Sequence, residues 1–528
     1  MLDLIITGGT VYGNEKYSGQ KADIGVKGGR ITALGDLARQ ASLSRYNAEG
    51  KIILPGFVDI HSHSDGIVFT PEENTLRVIQ GITTEVSGNC GISLAPVSPG
   101  RKELMVKSIS SVFGSNPLPW NWSSMGEYLD AVQQAGPVSH FVGLVGHGAL
   151  RIAVMGFENR PAEKDELREM GRLLEQSLDE GAAGMSSGLI YPPGSFSSRD
   201  EMIYLCRILA ERNRLYTTHM RNESDFVVEA VEEALDVARA SGVALQISHH
   251  KIAGKKNFGK SRITLSMVER ARDEGVDVML DMYPYEAGNT MLSALLPPWA
   301  HAGGVDAMLE RLPEPAVRER IREEITGSST GWDNLSQAAS WDRIVIAASS
   351  VEAFRNKSIE QIGAEMGWDP VDAVMNIIEQ TQNRCSMFIF AMHEDDIEAI
   401  LLRDYTMVGS DGAVSEEVFH PRVMGTFPRI LDCYVKQKRL LTIEEAVRKT
   451  SILPARRIGL IDRGGLEEGM WGDLLVIDWE NFTDNTTYAA NHAPASGIDA
   501  VFLDGRMTAG EGRHLGIFPG VTIRDFSR

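Results

Sequence analysis

Eight short apolar runs, each followed by a longer amphipathic stretch, fill residues 55–460 and constrain the fold more than any other feature. The runs are FVDIHSH, TTEVSG, FVGLVGH, AGMSSGL, YTTHM, ALQISHH, VMLDMY and TMVGSD. Strands that alternate with helical segments pair in parallel, because each crossover helix returns the chain to the same end of the sheet. Eight such units predict an α/β fold: a closed (β/α)8 TIM-type barrel with its catalytic groups at the C-terminal ends of the strands. The stretch 286–342, which carries LLPPWAHAGG and EPAVRERIREEI, breaks the alternation and is expected as an insertion or lid over the strand mouths.

The flanks have a different texture. Residues 1–54 and 461–528 hold β-rich runs between glycine turns, among them LIITGGTVY, KIILPG, GDLLVIDWE and GIDAVFLDGRMTAG. The two ends are expected to pair into one small β-sandwich beside the barrel. Composition then narrows the function classes. A formal charge of −20 over 528 residues repels phosphate backbones and anionic lipid, so neither nucleic acid nor a membrane is expected as a partner. Four scattered cysteines without a CxxC pair fit a reducing compartment. No apolar run approaches the ~18 residues of a membrane span, and the start, MLDLIITGG, has no basic leader region. The chain therefore reads as a soluble, cytoplasmic, unprocessed protein.

Chemistry collects at the predicted strand ends. His61 and His63 close the first strand, Cys90 follows the second, His219 ends the fifth, His249 and His250 end the sixth, and Asp411 ends the eighth. Residues two apart on a strand point the same way, so His61 and His63 both reach the barrel mouth, whereas only one of His249 and His250 does. Imidazole, thiolate and carboxylate together form a ligand set for zinc or a similar borderline metal. Taken singly, Cys90 reads equally as a small buried hydrophobe, and Asp411 as the cap of the helix that follows SDG. Lys251 suits a substrate carboxylate or a solvated loop, and Tyr191 and Tyr283 suit a pocket or a core rim.

The motifs PGFVDIHSHSD, SGNCGIS, SSGLIYPPG, THMRNE, ISHHK, MYPY, GSDG and HPRVMGTFPR together resemble the amidohydrolase superfamily, and within it the N-acyl-D-amino-acid deacylases (D-aminoacylases). The resemblance spans nearly the whole chain. It implies one tight Zn²⁺ held by Cys90, His219 and His249, and a weaker or vacant second site at His61 and His63. Asp411 would be both a metal-side ligand and the general base. Lys251, Tyr191, Tyr283 and Arg422 would bind the carboxylate of a small N-acyl amino acid. Asn222 and His393 depart from the family pattern outside the ligand motifs. Deacylases selective for acidic side chains carry a basic residue after YPY. Here that stretch, MLSALLPPWA, has Leu296 at about that position, which implies neutral or apolar side chains.

Two alternatives stand beside this reading. A cyclic-amide hydrolase of the dihydroorotase or hydantoinase type would carry a bridging lysine after the fourth strand, where GMSSGL offers none. A catalytically silent scaffold of the same fold would have lost metal ligands.

Overall fold

A computed structural model describes residues 1–14, 18–113, 118–327, 331–414 and 419–526. Eight parallel strands form its centre: β1 Phe57–Asp59, β2 Ile82–Ser87, β3 His140–Gly143, β4 Gly184–Gly188, β5 Leu215–His219, β6 Ala244–Ile247, β7 Val278–Met282 and β8 Thr406–Val408. Each falls within or overlaps one of the eight predicted runs. Hydrogen bonds link β1 to β2 and β2 to β3, and Val145–Gly146 carries the ladder on through β4, β5, β6, β7 and β8 in order. Just past β8, Gly412–Ala413 pairs in parallel with Ser62–His63, and Asp411 donates its backbone N–H to the His61 carbonyl at 2.7 Å. That pairing closes the (β/α)8 barrel.

The crossover helices follow from spacing. In Val227–Ser241 the buried side chains are Val227, Ala230, Val231, Ala234, Leu235, Val237 and Ala238, a stripe at three- and four-residue intervals that faces the sheet. Gly242, at φ +75°, ends that helix in the left-handed conformation that L side chains resist.

The break in the alternation is longer than the expected 286–342. Ala287–Met291 pairs antiparallel with Cys385–Phe390, which pairs antiparallel with Ile344–Ser349. These three strands, together with the helices between them, enclose an apolar core of their own that includes Leu292, Leu296, Ile346 and Met387. Residues 343–390 thus belong with the insertion, although their apolar β-rich runs are indistinguishable in composition from barrel strands.

Strands from the two ends of the chain lie in one sheet, where Ile52–Pro55 pairs antiparallel with Leu474–Ile477. A second sheet, built around Leu2–Thr7, packs on it through Ile6, Ile24, Ile53, Val476 and Phe502. The last residues depart from the expected 461–528 grouping. The tail leaves the sheets and runs back to the barrel, where the Phe141 N–H donates to the Val521 carbonyl and the Ile523 N–H to the Phe141 carbonyl. It takes up backbone groups of β3 that β4, starting at Gly184, does not reach.

Phe526 of this tail lies in an apolar cluster with Leu215, Ile458 and Leu460. Phe526→Ala should destabilise the protein by about 3 kcal/mol, the usual cost of truncating a buried phenylalanine. Urea unfolding monitored beside zinc content checks this, with stability expected to fall and zinc to stay. An unchanged unfolding midpoint would contradict the tail's role.

Candidate metal centre and active site

The strand ends converge on two overlapping groups of donors. His61, His63, Cys90 and Asp411 form one, and Cys90, His219 and His249 form the other, with the donor atoms of each group within 4.8 Å of one another. Cys90 is common to both. Its Sγ lies 3.3 Å from His61 Nε2 and 3.2 Å from His249 Nε2. The proposed second site therefore does not lack a thiolate, as the sequence division of ligands implied; it shares one. Asp411 Oδ1 sits 3.1 Å from His63 Nε2 and 3.5 Å from His61 Nε2.

Three of these residues occupy the left-handed backbone region that favours glycine: Cys90 at φ +53°, His249 at +34° and Asp411 at +50°. Such strain gathers at functional sites, where surrounding bonds must hold it. The turn that carries Cys90 lies so close to β4 that a Cβ on Gly188 would stand 2.1 Å from the Cys90 carbonyl oxygen. Only glycine fits there. His250, next to His249, turns away, its Nε2 lying 2.9 Å from Thr264 Oγ1 on the helix Ser261–Asp273.

Buried charges stand directly behind the donors. Asp281 on β7 accepts from His61 Nδ1 at 3.1 Å, from the His249 backbone N–H at 2.8 Å and from Gln246 Nε2 at 2.5 Å. It fixes the His61 tautomer with Nδ1 protonated and leaves Nε2 to face Cys90. Glu223, in the loop after β5, reaches Lys251 and the rings of His219 and His249. Arg77, fully buried, donates to the Gly412 carbonyl at 2.6 Å and to the Val423 carbonyl at 3.2 Å, and pairs with Glu85. Asp59 accepts the Ser410 backbone N–H at 2.8 Å. None of these residues is marked as a donor or clamp by the sequence motifs. A signal existed for Asp281: a carboxylate inside the apolar run VMLDMY is buried, and a buried charge needs partners.

The electrostatics fit a cation. Burial by itself would keep the Cys90 thiol protonated, but His249 and His61 outweigh it and drive the group well below the ordinary thiol range. Burial likewise opposes ionisation of Asp411, yet Arg422, His249 and His63 hold its carboxyl well below the usual value. Both ring nitrogens of His219 and Nδ1 of His63 are buried without a hydrogen-bond partner. Orphaned imidazole nitrogens beside a thiolate are what a zinc-binding set looks like before the ion is placed.

All of these donors except the fully buried His61 open onto one cleft, which Lys251, Tyr191, Tyr283 and Arg422 also line. Arg422 Nη1 stands 2.7 Å from Asp411 Oδ2, and its guanidinium lies over the Tyr283 ring. Lys251 Nζ is 2.6 Å from Glu223 Oε1, and Tyr191 Oη is 2.9 Å from Thr290 Oγ1. Leu296 is not in this cleft. It lines an adjoining, mainly apolar cavity that shares Cys90, Ile92, Ile190, Tyr191 and Met291 with it. Asn222 and His393 lie elsewhere, each accepting backbone N–H groups of its own loop or helix start.

The chain matches the amidohydrolase family over residues 46–509. It is 33% identical to the D-aminoacylase of Alcaligenes xylosoxydans xylosoxydans, covering 97% of this chain and 96% of that protein. It is 35% identical to the N-acyl-D-glutamate deacylase of the same organism, covering 96% and 93%. The structure matches, at a TM-score of 0.82, an N-acyl-D-glutamate deacylase from Bordetella bronchiseptica complexed with zinc and a phosphonate inhibitor that mimics the tetrahedral intermediate. That pair is 33% identical, covering 99% of this chain and 100% of the other.

Because Cys90 serves both donor groups, Cys90→Ala should bring bound zinc, measured by elemental analysis after gel filtration, from about one per chain to near zero. His63→Ala removes a donor from one group only and should keep the tight zinc. Equal retention by both variants would show that the donors are divided differently.

Proposed function

The chain belongs to the amidohydrolase family, and on that premise we propose that it is a zinc-dependent deacylase, hydrolysing N-acyl-D-amino acids to a carboxylate and the free D-amino acid. The observation that carries this reading is one cleft that joins His63, Cys90, His219, His249 and Asp411 to a cationic wall of Lys251 and Arg422. An N-acyl amino acid presents both an amide to cleave and a carboxylate to hold. The relatives that act on D-amino acids support the stereochemistry. A cyclic-amide hydrolase loses support because β4 carries no lysine, and a silent scaffold because every donor is present. Scattered cysteines without a CxxC pair support a reducing, cytoplasmic setting, and no helix among the described residues is long and apolar enough to cross a membrane.

Cys90, His219 and His249 would hold the zinc, which when bound would supply Lewis acidity toward the amide carbonyl and bring water within reach of ionisation near pH 7. Asp411 Oδ1 accepts the proton that the attacking water gives up. The water oxygen adds to the carbonyl carbon and the C–N bond breaks. Asp411 delivers its proton to the nitrogen as that bond breaks, since an amine anion is a poor leaving group. Arg422 pairs with Oδ2 and keeps Asp411 ionised, while Oδ1 faces the rings of His61 and His63. Lys251 and Tyr283 hold the α-carboxylate, and Tyr191 borders the scissile bond beside His219.

The cavity at Leu296 supports a preference for neutral, apolar side chains. Among the described residues, no lysine or arginine lines it. Burial pushes its His301 down to about 4, and that ring donates to the Ser293 carbonyl. Arg318 is committed to Asp372 and Glu379, and Arg262 is exposed on its helix. A carboxylate side chain buried there would have no partner, whereas each buried methylene adds about 0.8 kcal/mol.

Asp411→Ala should lower kcat by at least about 100-fold with the fold retained. Lys251→Ala should chiefly raise KM, and only for substrates with a free α-carboxylate; equal damage to the matching N-acyl amino amides would refute that role. Arg422→Ala should lower kcat as well, because it strips Asp411 of its partner. For the parent enzyme, kcat/KM should rank N-acetyl-D-methionine above N-acetyl-D-glutamate and above N-acetyl-L-methionine. A preference for the glutamate derivative would overturn the apolar pocket, and a preference for the L-isomer the stereochemical assignment.

A further inference from the structure

Glu223 stands where the metal donors meet the carboxylate clamp, and no step above uses it. Its side chain is only 6% exposed. Oε1 lies 2.6 Å from Lys251 Nζ and 3.0 Å from His249 Nδ1, and Oε2 lies 3.5 Å from His219 Nε2. Lys251 Nζ is itself 2.7 Å from His249 Nδ1. That contact sets up a choice of tautomer. If the ammonium donates to Nδ1, the neutral ring must carry its proton on Nε2, the nitrogen that faces Cys90 Sγ. A protonated Nε2 has no lone pair for a metal. If Glu223 accepts from both Lys251 and Nδ1–H, the lone pair stays on Nε2.

We propose that Glu223 is a positioning residue that selects the metal-binding tautomer of His249 and, with the same oxygen, pins Lys251 in the cleft. The carboxylate is well placed to do so because its backbone is held from two sides. The Glu223 N–H donates to Asp333 Oδ2 of the insertion at 2.8 Å, and its carbonyl accepts the Ala253 N–H from the loop after β6 at 2.8 Å. Carboxylates that accept the second nitrogen of a ligand histidine commonly tune metal affinity 10- to 100-fold. Here the same group also decides whether a neighbouring lysine competes for that nitrogen. The metal half of the proposal needs only the donor set, and the substrate half rests on the deacylase reading.

Zinc dissociation constants from chelator competition test the first half on the full chain. Glu223→Gln should weaken zinc by about 10- to 100-fold. Adding Lys251→Met should recover at least tenfold of that loss, while Lys251→Met alone should change zinc affinity by no more than about twofold. Parental affinity in Glu223→Gln, or no recovery in the double variant, would overturn the proposal. Selective ¹⁵N-histidine labelling reads the tautomer in the parent itself, so the test survives if a variant fails to fold. In the zinc-free chain, at a pH where the ring is neutral, His249 should carry its proton on Nδ1; an Nε2–H tautomer would refute the assignment. For the second half, Glu223→Gln should raise KM about tenfold for N-acetyl-D-methionine but not for its amide, and an equal rise for both would refute it. A parent without deacylase activity would sink the functional reading and leave the zinc and tautomer results standing.

Discussion

The seam between the first and last strands is the constraint on which the rest of this molecule depends. A parallel barrel must bring its ends together, and here the closing bonds are made by residues of the candidate donor set and their neighbours. Asp411 gives its N–H to His61, and Gly412–Ala413 pairs with Ser62–His63. Register at the seam is therefore register at the site. A one-residue slip would close the sheet equally well but would turn His61 and His63 away from Cys90. Arg77 guards against the slip from beneath, since its guanidinium binds the Gly412 carbonyl and the Val423 carbonyl at once, and Asp59 binds Ser410. These are buried charges whose partners exist only in the correct register.

The same logic explains how three strained residues persist. A non-glycine residue in a sparsely populated backbone region costs on the order of 1–3 kcal/mol. At Cys90, His249 and Asp411 that cost is offset by bonds to neighbouring strands rather than within each turn. Gly91 donates its N–H to Ser186 on β4, His249 donates to Asp281 on β7, and Asp411 donates to His61 after β1. Asp281 binds the His249 backbone and the His61 ring together, so it couples the two donor groups that Cys90 joins from the other side. The donor set is preorganised by a ring of cross-strand bonds, and much of the rigidity required of a metal site comes from the sheet.

What the sequence made legible follows from this. The eight strands could be read because a parallel barrel buries both faces, which leaves short continuous apolar runs between amphipathic helices. His61 and His63 could be assigned a common face because strand periodicity is two. The insertion's true extent could not be read, because Ile344–Ser349 and Cys385–Phe390 are apolar β-runs whose antiparallel pairing leaves no mark on composition. Nor could the return of the tail to β3, since a backbone pairing needs no special side chain. Arg77, Glu85 and Glu223 resemble ordinary solvated charges in one dimension. Their importance comes only from burial, which depends on elements far away in sequence. The sharing of Cys90 by both donor groups belongs to the same class of fact.

Charge balance links the two halves of the cleft. Lys251 and Arg422 contribute two positive charges, each raised in basicity by a carboxylate neighbour against the effect of burial. Glu223, Asp411 and the Cys90 thiolate contribute three negative ones. When the imidazoles give their lone pairs to a metal they stay neutral, and a divalent cation would bring the wall to one positive charge in excess. Without it, the neighbouring acids instead raise the basicity of His61, His63 and His249. The chain's −20 cannot supply a long-range attraction for an anionic substrate, and beyond a Debye length of about 8 Å surface charge is largely screened. Recognition of the carboxylate must then arise inside the cleft, where charges are poorly screened. A filled donor set would supply the positive excess there, so metal loading would favour substrate binding as well as bond cleavage.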